Sequence, residues 1–163
     1  KILLIGTGDV SERTAKALCL NGVNNLFISG RSKSKTDQIA KKYGSKSINF
    51  EDLARQIKHF DIVISCTSAS KTILSFDTVK IIANCRSNHP LFLIDLAVPR
   101  DIEDSISKLD NVFLYNLDAL AKISNENMAL RRSEIAKATQ MIKTQAWNYW
   151  LQAFRRSMFQ KRQ

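Results

Sequence analysis

The first 22 residues, KILLIGTGDVSERTAKALCLNG, run an apolar segment straight into Gly6-Thr7-Gly8 and then directly into a helical pattern. This arrangement restricts the fold more than any other feature of the chain. A short strand, a tight turn and a helix that starts on the turn make the first half of a strand-helix-strand unit, and such units build parallel sheets. Further along, NLFIS, FDIVIS, LFLIDL and NVFLY repeat the strand pattern, and SINF is a weaker instance. These runs are short, rich in β-branched and aromatic residues, and nearly continuously apolar, as strands covered on both faces are. Helical patterns separate them. Val10, Thr14, Ala17 and Leu18 share one helical face, and the segments Lys35 to Tyr43, Glu51 to Ile57 and Ser75 to Ala83 follow. Strands alternating with helices predict a doubly wound parallel α/β sheet.

The last third reads differently. All five glycines fall before residue 45 and both prolines before residue 100, so nothing after Pro99 breaks a helix. From about Asp118 the sequence reads as one long helix with Met128, Ile135, Ile142 and Tyr149 recurring every seven residues and Ala138, Ala146 and Ala153 close to that seam. A helix over 118–160 would extend roughly 60 Å. That exceeds the diameter of the domain it leaves, so its far part is expected to pack on a second copy in a homodimer. The alternative is a helix folded back on the sheet, for which the sequence offers no breaker. The expected organisation is a domain over 1–117 and a truncated long helix over 118–163.

Composition narrows the class. At 163 residues with 44% hydrophobic content, the chain can bury a core. No apolar run is long enough to span a bilayer, and no signal peptide is visible. Residue 1 is Lys and already belongs to a strand pattern, which reads as an excerpt of a longer protein. Cys19, Cys66 and Cys85 show no paired spacing and His59 and His89 are isolated, so neither a disulfide framework nor a metal site is expected, and a reducing cytoplasm is the natural setting. The net charge is +10, and from Asp118 onward nine Lys/Arg stand against three Asp/Glu. Such a basic arm is either a solvated helix face or a contact for polyphosphate or nucleic acid.

Gly6-Thr7-Gly8-Asp9-Val10-Ser11, lying between a strand and a helix, has the context of a Rossmann-like dinucleotide fingerprint. Gly6 permits the tight turn. Gly8 lets the backbone approach a pyrophosphate, towards which the helix start directs free N–H groups and its positive dipole end. Ser11 stands in the third position, where close helix-strand packing asks only for a small residue. At the end of the second strand, where an acid would hold the ribose hydroxyls of NAD, the sequence reads FISGRSKSK. Arg31, with Ser29, Ser32, Lys33 and Lys35 around it, favours the 2′-phosphate of NADPH instead. DIVISCTSAS places Thr67 and Ser68 at the carboxyl edge of the fourth strand, on the ribose or nicotinamide side. Cys66 has no neighbouring base and reads as a core residue.

LFLIDLAVPRDIE, followed by NVFLYNLDAL and ENMALRRSEIAKA, resembles glutamyl-tRNA reductase, and GTGDVSERTAKAL, the GRS turn and DIVISCTS fit the same family in the same order. The resemblance extends to about Trp150, with DLAVPRDIE its most specific part. It implies an NADPH-dependent oxidoreductase that reduces the glutamyl group of charged tRNA to glutamate-1-semialdehyde, a precursor of 5-aminolevulinate and so of porphyrins and other tetrapyrroles. It also implies that this chain is the NADPH domain plus part of a spinal, dimerising helix. The family's nucleophilic cysteine belongs to an N-terminal catalytic domain. None of the three cysteines here inherits that role, no catalytic residue is assigned, and the chain alone is expected to be inactive. The carried-over cofactor sites are Gly6 to Ser11, Ser29, Arg31 and Ser32.

Two other readings remain open at this point. A NADPH oxidoreductase of the shikimate dehydrogenase type shares the glycine turn and the Arg-Ser turn but is not expected to continue into a breaker-free helix. A non-catalytic NADP-sensing or RNA-binding module would use the basic arm, with Phe154, Arg155, Arg156 and Phe159 as interleaved contacts.

Overall fold

The computed structural model describes residues 1–86 and 89–160. Its contacts divide the chain into one unit over Lys1–Ala119 and a second over Leu120–Gln163. The first unit holds six parallel strands: β1 (Ile2–Ile5), β2 (Leu26–Gly30), β3 (Lys46–Asn49), β4 (Ile62–Ser65), β5 (Leu91–Asp95) and β6 (Val112–Asn116). Their order across the sheet is β3-β2-β1-β4-β5-β6. The sheet therefore winds outward in both directions from a switch point between β1 and β4, which is the Rossmann-like topology.

The apolar runs are continuous because the central strands are covered twice. Leu3, Ile5, Val63, Leu91 and Leu93 pack with Leu53, Ile57, Val79, Ile82 and Ile106 in one cluster, while Leu4, Leu26, Ile28 and Ile64 pack with Ala15 and Ile39 in another. Alternation along each strand sends successive side chains to opposite clusters. β3, from the weaker SINF pattern, closes one edge, and Ile48 is its only residue less than fully exposed.

Among the described residues, the α-helices that begin and end in this unit are α1 (Asp9–Leu20), α2 (Lys33–Lys42), α3 (Leu53–Gln56) and α4 (Phe76–Asn84). On α1 the expected face is displaced by one residue. Ser11 and Ala15 are buried, with Leu18 partly covered, whereas Val10 is half exposed. The two small residues allow the helix backbone to approach the sheet, and Val10 turns to the carboxyl edge instead. Helix α2 begins before Lys35 because Ser32 caps it, its Oγ accepting from the Lys35 N–H. The segment expected as a helix over Glu51 to Ile57 is one α turn flanked by 3-10 turns at Phe50–Asp52 and Ile57–His59.

Helix α5 runs without a break from Leu117 to Gln160. Residues 121–150 are all exposed, including the seam residues Met128, Ile135, Ile142 and Tyr149. Trp147 and Trp150 stack on one another at 5.2 Å between ring centroids. The side chains of Ala153, Phe154, Arg155, Arg156 and Phe159, on which the seam's end and the RNA-binding reading rest, lie outside the described residues. Among the described residues, no helix is long and apolar enough to cross a membrane.

Candidate dinucleotide site

The carboxyl ends of β1 to β5 open on a cavity of about 800 Å³. The turn after β1 forms its floor. Gly6 has φ +126°, a conformation that L side chains rarely adopt, and a Cβ there would lie 2.6 Å from the Cys66 carbonyl oxygen. The Gly6 N–H donates to the Ser29 carbonyl, and the Cys66 N–H to that of Ile5, so the turn is tied to the strands on both sides. Gly8 differs. It is the N-cap of α1, its φ is −89°, and a Cβ there would meet no heavy atom within 4 Å. Its missing side chain leaves open space on the cavity side. No side chain caps α1, so its first N–H groups remain available to an anion.

Ten of the twelve residues expected at a cofactor site line this cavity: Gly6, Thr7, Gly8, Asp9, Val10, Arg31, Ser32, Lys35, Thr67 and Ser68. The other two lie beneath it. Ser11 is fully buried, and its Oγ donates to the Gly6 carbonyl at 2.7 Å. The hydroxyl clips the helix to the turn, a bond that glycine could not make. Ser29 is also fully buried, and its Oγ has no hydrogen-bond partner among the described residues, so the expected contact from Ser29 to a phosphate is not what the structure shows. Ser29 stands inside β2, paired to both neighbours, one residue short of the edge.

Arg31, Ser32 and Lys35 are exposed on the β2 side of the cavity. Their turn is held from below: Thr36 Oγ1 donates to the Ser32 carbonyl at 2.9 Å, and Gly30 has no room for a Cβ, which would lie 2.6 Å from Thr7 Cγ2. Asp9 is the single acidic wall residue among those described, set against the two cations.

Beside Thr67 and Ser68, the β4 and β5 side carries residues to which the sequence assigned no role. Ala69, Thr72, Ile73, Leu96 and Val98 line the cavity there, and Phe50 lines it beyond β3. Behind them are two buried carboxylates. Asp95 accepts from the Ala97 N–H at 3.0 Å and the Ile102 N–H at 2.9 Å, and burial pushes its carboxyl above the usual range. Asp101, with no exposed surface, accepts from Ser65 Oγ at 2.7 Å, the Thr67 N–H at 2.9 Å and Thr67 Oγ1 at 2.7 Å. Their sequence signal was two acids six residues apart, each beside an apolar residue, in DLAVPRDI. Cys66 also reaches the cavity, but burial raises its thiol to about 11 and the thiol donates to the Ile5 carbonyl, so it is no nucleophile at neutral pH.

Comparison with known proteins agrees with this geometry. The family model described as shikimate / quinate 5-dehydrogenase matches residues 1–123. A glutamyl-tRNA reductase from Nitratidesulfovibrio vulgaris is 37% identical over 155 residues, which is 94% of this chain and 35% of that protein. The chain thus spans about a third of the length of the curated relatives it matches. Among solved structures, glutamyl-tRNA reductase from Methanopyrus kandleri superposes with a TM-score of 0.74 at 29% identity, covering 83% of this chain and 34% of the other. The nucleotide binding domain of the Thermoplasma volcanium glutamyl-tRNA reductase gives a TM-score of 0.61 at 27% identity, covering 80% and 84%. The chain belongs to the shikimate / quinate 5-dehydrogenase family and is similar along nearly its whole length to glutamyl-tRNA reductases, as DLAVPRDIE implies.

Proposed function

We propose that this chain is the NADPH-binding part of a glutamyl-tRNA reductase, the enzyme that converts the glutamyl group of charged tRNA to glutamate-1-semialdehyde for tetrapyrrole synthesis. The observation that carries the cofactor assignment is the pairing of an uncapped, glycine-floored helix start with Arg31 and Lys35, and no acid, at the β2 end of one cavity. The residues present fit the group. Gly6, Thr7 and Gly8 with the first turn of α1 would hold the pyrophosphate, and Arg31, Ser32 and Lys35 the adenosine 2′-phosphate. Bound NADPH supplies a hydride. What this chain contributes is binding and orientation, while the acyl group is held by a catalytic domain that these 163 residues do not contain. The isolated chain is therefore inactive. Three free cysteines support a reducing, cytoplasmic setting, and the exposed apolar seam of α5 supports a homodimer through that helix.

The test is a parallel titration of this chain with NADPH and NADH, as wild type and as Arg31→Ala. Removing a charge-assisted contact to the 2′-phosphate lowers NADPH affinity by about ten- to a hundredfold, towards the unchanged NADH value. Equal wild-type affinity for the two cofactors refutes the assignment.

A further inference from the structure

The two ends of the cavity are held by different devices. The β2 end rests on Gly30, Ser32 and Thr36. The opposite end converges on Asp101. Its side chain takes three donors from β4 and the residue pair beyond it: Ser65 Oγ, the Thr67 N–H and Thr67 Oγ1. Its carbonyl accepts from the Ile73 N–H at 2.7 Å and the Leu74 N–H at 3.1 Å. Its own loop is closed by Asp95, which receives the Ala97 and Ile102 N–H groups. Two wall segments, at Thr67–Ala69 and Thr72–Ile73, are thereby tied to Asp101, and the third, Leu96–Val98, is tied to its neighbour Asp95.

Thr67 is the most constrained of them. Its hydroxyl proton goes to Asp101, and its oxygen accepts the Ala69 N–H at 3.1 Å. The hydroxyl has no second proton for a ligand, so Thr67 acts through the turn it shapes. A carboxylate suits this place because it accepts from the Thr67 N–H and both hydroxyls at once. An amide keeps one acceptor oxygen and sets an N–H pair towards a hydroxyl, which must then turn its own proton elsewhere.

We propose that Asp101 is a positioning residue for the non-adenosine half of the dinucleotide: it fixes the β4-side wall, and with it where the nicotinamide end lies. This rests on the NADPH reading above. Because none of its bonds reaches Arg31, Ser32 or Lys35, its loss leaves the adenosine end intact.

The experiment measures binding of NADPH and of adenosine 2′,5′-bisphosphate, which carries only the adenosine end, to the wild-type chain and to Asp101→Asn, Thr67→Val and the double variant. Thermal unfolding is followed in parallel. The expected result is NADPH binding weakened about three- to tenfold in each single variant, the loss of a preorganised wall. Adenosine 2′,5′-bisphosphate stays within about twofold of wild type, and the double variant is no weaker than Asp101→Asn alone. If Asp101→Asn does not fold, Thr67→Val, which keeps the side chain's shape, decides by itself. Equal loss of both ligands, or unchanged NADPH binding in a folded variant, overturns the proposal. A wild-type chain that binds neither probe removes the dinucleotide reading and the positioning role with it.

Discussion

Two alanine substitutions two residues apart, at Gly6 and Gly8, have opposite consequences on this structure. At Gly6, φ is +126°, and holding an alanine there costs about 1–3 kcal/mol in backbone strain. The new Cβ would also sit 2.6 Å from the Cys66 carbonyl, well inside the 3.4 Å at which ordinary contact begins. The partner atom is backbone, fixed by the Cys66 N–H bond to Ile5, so the edge of β4 must yield, at about a further 1–3 kcal/mol. Gly6→Ala is thus expected to lose about 2–6 kcal/mol, a large part of a typical domain's stability, and to lower Tm by about 10 °C. At Gly8 there is neither strain nor clash. A weaker N-cap and a less flexible unfolded chain offset each other, and stability stays within about 1 kcal/mol. The methyl group there enters the space assigned to the pyrophosphate, so NADPH affinity falls at least about tenfold. Urea unfolding and NADPH titration of both variants supply the test. A Gly6→Ala loss under about 0.5 kcal/mol contradicts the packing of the turn. Wild-type NADPH affinity in Gly8→Ala contradicts the cradle.

Three further outcomes follow from buried groups. Ser29→Ala removes an unpartnered, fully buried hydroxyl and is expected to leave urea stability unchanged or raise it by up to about 1 kcal/mol, with NADPH affinity unaltered; weaker binding would restore Ser29 as a ligand. Arg86 is buried and donates to four carbonyls, those of His89, Lys58, Phe60 and Pro90, pinning the chain ahead of β4 and β5; Arg86→Lys, lacking the planar fork, should cost about 2–4 kcal/mol in the same assay. Cys66 should resist iodoacetamide at pH 8 while exposed Cys85 reacts, and its rate should climb towards pH 11. The folded chain keeps the Cys66 proton where the unfolded chain, with an ordinary value of 9.0, releases it. Its contribution to stability is therefore full below pH 9 and declines between pH 9 and about 11, which unfolding at stepped pH would measure.

Much of the fold was legible because parallel strands and their helices write period and burial directly into the chain. KILLI, NLFIS, FDIVIS, LFLIDL and NVFLY all became strands; the central ones are apolar throughout because they are covered on both faces, while β6, at the edge, leaves Phe113 exposed. The unbroken α5 followed from the absence of glycine and proline after Pro99. Boundaries were less legible. The Ser32 cap lengthens α2, and α3 contracts to one turn between 3-10 turns, because local hydrogen bonding settles where a helix begins and ends.

At the site, the sequence alone determined the glycine floor, the helix start and the cations at the β2 end, since backbone conformation and local charge belong to neighbouring residues. Tertiary structure decided the rest. It sent Ser29 into the interior, turned Ser11 from a small spacer into a clip on Gly6, and brought Asp101 to Thr67 across 34 positions of chain. Those assignments depend on which buried donors meet which acceptors when separate strands pair. Such pairing is a property of the closed sheet, and no local stretch of sequence contains it.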